Sequence, residues 1–132
     1  MGDDAFRTCG MCRKQWPRWQ EFVLDRGLRL LGFQGVPQVP DANAIIFEHE
    51  CGSSVSILAA KLRHLLENPE EGAGLPLLFG SEQCKGHCRF LADLEACTNR
   101  CLNARDRRLT ILVNEIKQTG RLPAWLSGSD RI

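Results

Sequence analysis

The sequence predicts a mixed α+β chain: a small antiparallel sheet of about three strands with flanking helices, followed by a helical four-cysteine module. Three observations carry this. Short apolar or alternating runs fall between residues 28 and 57, a helical period follows residue 103, and seven cysteines are spaced unevenly. The chain has 132 residues, of which 43% are apolar and 25% charged, enough for one hydrophobic core. A single domain over 1–132 is expected, with an α/β part at 9–68 and a helical cysteine-cluster part at 75–132.

Taken in order, residues 1–8 read as a short disordered lead-in, and Cys9-Gly10-Met11-Cys12 as a tight turn. Residues 16–25 read as a helix, with Pro17 in its first turn and Gly27 just past its end. Trp16, Trp19, Phe22 and Val23 then share one face, which predicts core packing. Residues 28–33 predict a first strand. Pro37 and Pro40 exclude the next stretch from a central strand. Ala44 to His49 predicts a second strand, and 53–57 alternates like a half-buried third. Residues 58–66 carry a helical pattern in Leu58, Leu62, Leu65 and Leu66, stopping before Pro69. The loop at 69–74 divides the halves. Residues 103–117 predict a helix with Leu109, Leu112, Val113 and Ile116 inward, ended by Gly120, and 123–126 a docked apolar tail.

The cysteines fall as Cys9/Cys12, Cys51, Cys84/Cys88 and Cys97/Cys101. Seven cannot all pair within one chain. Residues 1–5 lack the basic-then-apolar pattern of a signal peptide, so a reducing cytoplasm is expected, where thiols persist as thiols or metal thiolates. Cys9 and Cys12 can chelate one tetrahedral ion from a single turn, and His49 with Cys51 supplies a second pair at the junction of two strands. His64 is the rival for His49, and a redox dithiol is the rival for Cys9/Cys12. On these residues the segment 9–57 resembles a zinc ribbon, in which a metal clamps two knuckles together. It departs from that pattern in having His-x-Cys as its second knuckle. The resemblance implies a structural zinc on Cys9, Cys12, His49 and Cys51.

The second set comprises Cys84, Cys88, Cys97 and Cys101. Each Cys-x₃-Cys puts two sulfurs on one helix face, and eight residues separate Cys88 from Cys97. Four sulfurs at one point suit a second zinc. An iron–sulfur cluster or two disulfide rungs remain open from spacing alone. The stretch resembles the twin Cys-x₃-Cys hairpins of small mitochondrial import chaperones, whose linker is longer. His87 reads as solvated or as a supporting group around the site, with substitution for one cysteine the alternative.

Lys+Arg is 17 against Asp+Glu 16, a net charge of +1, which argues against nucleic-acid binding. No apolar run is long enough for a membrane span. The basic run Arg100, Arg105, Arg107 and Arg108 reads as a solvated face. No catalytic motif is recognised, so an enzyme is not the favoured reading. The expectation is a metal-binding accessory or interaction module with a protein partner. An iron–sulfur or thiol redox protein is the alternative.

Overall fold

Alternation decides the central strand. In β-strand Ala44–His49, the side chains of Ile45, Phe47 and His49 are buried on one face, while Glu48 is exposed on the other. The computed structural model describes residues 5–36, 39–67, 75–76, 82, 84, 86, 91–95, 97 and 101–126. In chain order its elements are β1 (Arg7–Thr8), β2 (Gln15–Trp16), α1 (Trp19–Leu24), β3 (Leu28–Gln34), β4 (Ala44–His49), β5 (Ser54–Leu58) and α2 (Leu102–Thr119). Strands β1 and β2 form an antiparallel hairpin, and β3-β4-β5 an antiparallel meander. The fold is mixed α+β, as the sequence predicts.

One hydrophobic cluster joins all these parts. It includes Cys9 and Trp16 from the hairpin, Phe22 and Val23 from α1, Phe47 and Val55 from the sheet, and Leu109, Val113 and Ile116 from α2. The edge of β3 away from β4 is covered: Leu91 O accepts the Phe33 N–H at 3.0 Å. A Cβ at Gly32 would lie 1.9 Å from that Leu91 oxygen. Gly32→Ala is therefore expected to push residues 91–95 off β3 and cost about 1–3 kcal/mol. Faster hydrogen exchange at the Phe33 amide would report it; unchanged protection would refute it.

Several local expectations are corrected. Residues 5–8 are not a disordered lead-in, because Arg7 and Thr8 pair with Trp16 and Gln15. Trp16 consequently belongs to a strand, and α1 begins only at Trp19, where the Glu21 carboxylate accepts the Arg18 N–H at 3.0 Å. Trp16, Phe22 and Val23 still pack in the core. Residues 58–66 do not form a helix. Leu58 ends β5 with its side chain exposed, and two 3₁₀ turns follow at Ala59–Lys61 and Arg63–Leu65. Ala59, Leu62 and Leu65 are all buried, three residues apart, which is the 3₁₀ period. The loop at 69–74 lies outside the described residues.

Helix α2 ends at Gly120, in the left-handed conformation at φ 71°, with its N–H on Ile116 O at 2.8 Å. Its first half is buried almost all round, and the predicted solvated face is overturned at Arg105 and Arg107; Arg108 is partly buried and Arg100 lies outside the described residues. Arg105 bonds the Asp106 carboxylate at 3.0 Å, and Arg107 folds over the Phe33 ring at 5.5 Å. Arg107 also donates to the carbonyls of Asp93 and Glu95. Asp106, fully buried, gathers Arg63 at 2.8 Å and Asn43 at 3.0 Å as well. Near the other end, Lys117 donates to Phe22 O and Asp25 O at 2.9 and 3.0 Å, satisfying carbonyls at the end of α1. Burial lowers the Lys117 pKa to about 8 against the opposing pull of Asp25. Among the described residues, no helix is long and apolar enough to cross a membrane.

Candidate metal centre

Two chain reversals meet at the foot of the sheet. In the first, the β1–β2 hairpin closes through Cys9 N–H on Lys14 O at 2.8 Å and Arg13 N–H on Cys9 O at 3.1 Å. This tight loop forces Arg13 into the left-handed region at φ 68°, which favours glycine. In the second, β4 turns into β5 through His49 N–H on Ser53 O at 2.9 Å, with Gly52 at φ 96°. Each reversal presents two side chains: Cys9 and Cys12 from one, His49 and Cys51 from the other.

The four ligand atoms lie within 4.8 Å of one another, a group that could hold a metal ion. Cys9 and His49 are buried, and Cys12 and Cys51 are exposed. Around a tetrahedral ion with bonds of about 2.3 Å to sulfur and 2.0 Å to nitrogen, two sulfurs sit roughly 3.8 Å apart, and a sulfur and nitrogen roughly 3.5 Å. Cys9 Sγ to Cys51 Sγ is 3.7 Å, and Cys12 Sγ to His49 Nδ1 is 3.6 Å. His49 Nδ1 to Cys51 Sγ, at 3.1 Å, is a hydrogen-bond distance that an ion would open slightly. Three thiols and an imidazole are donors suited to a metal ion, and two of these separations match tetrahedral ligation.

The surroundings favour the thiolate at Cys9 and Cys51 but not at Cys12. N–H groups of Cys12 and Met11, with the Ser53 hydroxyl, bring the Cys9 pKa down to about 5 against burial. The Cys12 N–H is the largest contributor. At Cys51, the Ser53 hydroxyl and N–H lower the pKa, again against burial. At Cys12 the Lys14 N–H pulls down, but burial and the neighbouring Cys9 and Cys51 sulfurs outweigh it, so its pKa rises. Burial lowers the His49 pKa, but the Cys51 and Cys9 sulfurs reverse that, for a net rise.

His49 faces the sulfurs through Nδ1, the nitrogen that would bind an ion there and so leave the ring proton on Nε2. That Nε2 is buried without a hydrogen-bond partner, and the imidazole packs edge-on against Trp16 at 5.2 Å. Trp16 is itself fixed by its Nε1–H on Asp25 Oδ2 at 2.7 Å. Burial raises the Asp25 pKa, but hydrogen bonds from Trp16 and the Gly27 N–H more than reverse it. Packing thus orients His49 where a ligating histidine more often uses a polar partner.

The sequence-predicted residues divide cleanly. Cys9, Cys12, His49 and Cys51 are brought together. The rival His64 packs instead against Trp19 at 5.2 Å. Of the second set, Cys84 and Cys97 are half-buried thiols and Cys101 is buried at the N-cap of α2 in extended conformation, so Cys97 and Cys101 do not share a helix face as the spacing predicts. Cys88 and His87 lie outside the described residues. Sequence reasoning missed Ser53, whose only signal was its place two residues after Cys51, and the supporting Trp16–Asp25 pair. No protein-family model matches the chain, and the curated proteins and the solved structures likewise contain no match.

Proposed function

We propose that the chain is a structural zinc protein in which Cys9, Cys12, His49 and Cys51 hold one ion that ties the β1–β2 hairpin to the β4–β5 turn. The observation that carries this is the convergence of four soft donor atoms, from two distant reversals, within 4.8 Å. Four protein ligands close the coordination sphere, which favours a structural over a catalytic role. The ion would supply folding free energy by joining segments some 40 residues apart, such as Cys9 and Cys51 with |i−j| of 42. A second zinc on Cys84, Cys88, Cys97 and Cys101 belongs to the same reading, supported by the doubled Cys-x₃-Cys spacing.

The proposed role of the ordered scaffold is to present a surface to a protein partner. Met11, 67% exposed at the hairpin tip between the two ligands, is an adaptable apolar contact of the kind such surfaces use. The test is native mass spectrometry of zinc-reconstituted protein, combined with a visible spectrum after anaerobic purification. Two zinc ions per chain are expected in a colourless sample. One ion would remove the second site from the proposal, and none would overturn it. A visible-absorbing iron-containing sample would favour the redox alternative.

A further inference from the structure

We propose that Ser53 is a positioning residue that clamps Cys9 and Cys51 as a pair and leaves Cys12 as the exchangeable, electrophile-accessible ligand of the centre. This rests on the zinc reading above. The Ser53 Oγ lies 3.3 Å from Cys9 Sγ and 3.2 Å from Cys51 Sγ, so one hydroxyl spans sulfurs contributed by the two separate reversals. Its placement is not free. The Ser53 carbonyl accepts the His49 N–H at 2.9 Å, which sets the backbone of the turn and aims the hydroxyl at the sulfur pair.

A thiolate bonded to zinc keeps lone pairs that act as nucleophiles, and each N–H or O–H donated to it draws electron density away and fixes the sulfur in place. The donors are unevenly shared. Cys9 receives the Met11 and Cys12 N–H groups together with the Ser53 hydroxyl, and it is fully buried. Cys51 receives the Ser53 N–H and shares with Cys9 the one proton of the Ser53 hydroxyl, which lies between the two sulfurs. Cys12 receives the Lys14 N–H, lies beyond the Ser53 clamp, and is exposed. Cys12 and Cys51 are both exposed, but of the two the Ser53 hydroxyl lies against Cys51, so an incoming electrophile reacts at Cys12 first. With iodoacetamide the Cys12 sulfur forms the new S–C bond as the C–I bond breaks, iodide leaves, and the metal–sulfur bond is given up.

The test uses the full chain loaded with zinc or cobalt. Limiting iodoacetamide followed by peptide mapping is expected to label Cys12 first among the four-residue set, with Cys51 protected. In Ser53→Ala, cobalt affinity is expected to fall about 10–100-fold. The sulfur-to-cobalt charge-transfer band should shift, and labelling should spread to Cys51. Ser53→Thr, which keeps a hydroxyl, should restore the affinity and the labelling order. Hydrogen exchange at Val113 and Ile116 checks that each variant is folded. If Ser53→Ala unfolds, the comparison of wild type with Ser53→Thr decides: labelling of Cys51 ahead of Cys12 in both overturns the proposal. Unchanged affinity and labelling in a folded Ser53→Ala also overturns it, as does loss of the tetrahedral cobalt bands, which would make Ser53 a ligand. A wild-type chain that takes up no cobalt brings down the zinc reading itself.

Discussion

Replacing Cys9 with serine is expected to lower zinc affinity by more than the ~100-fold that loss of an outer-shell partner costs, and to free the β1–β2 hairpin from the sheet. Cys9 serves twice: its sulfur belongs to the four-donor group, and its side chain is fully buried in the hydrophobic cluster. A hydroxyl there is a poorer zinc donor and sits among apolar groups, so binding and packing are lost together. Cobalt titration would measure the first effect. Hydrogen exchange would measure the second, at the Phe6 and Cys9 amides, which bond Pro17 O at 3.1 Å and Lys14 O at 2.8 Å. These amides should lose protection while those of α2 around Val113 keep theirs. Removing metal with a chelator should reproduce that pattern in the wild type. Affinity within tenfold of wild type, with an intact hairpin, would contradict the zinc reading.

The second large effect is expected at Asp106. Its carboxylate is fully buried and bonds Arg63 through two nitrogens at 2.8 and 2.9 Å, Arg105 at 3.0 Å and Asn43 at 3.0 Å. Asp106→Ala removes the carboxylate that Arg105 bonds and leaves Arg63 on the exposed Asp41 at 3.3 Å, and breaking such a buried network costs about 3–5 kcal/mol. For a chain of this size that corresponds to a fall in Tm of roughly 10–20 °C. A fall of only a degree or two would mean that water takes over the carboxylate's role.

The same residue sets an acid limit. Burial alone would raise the Asp106 pKa, but hydrogen bonds from Arg63, Arg105 and Asn43 hold it below the usual carboxylate range. A group depressed in the folded state contributes stability above its unfolded pKa of about 3.9, and loses it as pH falls through its lower folded value. Below about pH 4 the wild type should lose stability more steeply than Asp106→Ala, both measured with chelator present so that metal release does not contribute.

How much of this was legible follows from signal length. Strand β4 is legible from six residues of apolar enrichment, and α2 from about two turns of apolar spacing; both stand where expected. The four donors at the centre were legible because metal chemistry restricts residue type and spacing so strongly. Hairpin β1–β2 was not legible, since two residues per strand carry no period, and its formation depends on the core around Trp16. The 3₁₀ turns were misread because Leu62, Leu65 and Leu66 satisfy a helical spacing about as well as a three-residue one. The burial of Arg105 and Arg107 depends on distant Asp106 partners and on Phe33, which no local window contains.

Arg7 gives the centre a consequence for colloidal behaviour. Its Nε–H caps the carbonyl of Ser56 at 3.0 Å, so the hairpin arm lies over the edge of β5, the outer strand of the meander. An open strand edge is a template for pairing with another chain. If the ion holds the hairpin down, it also holds that cover in place. Metal depletion would then uncover an alternating Ser54–Leu58 edge, making self-association through intermolecular strand pairing the cost of an empty centre.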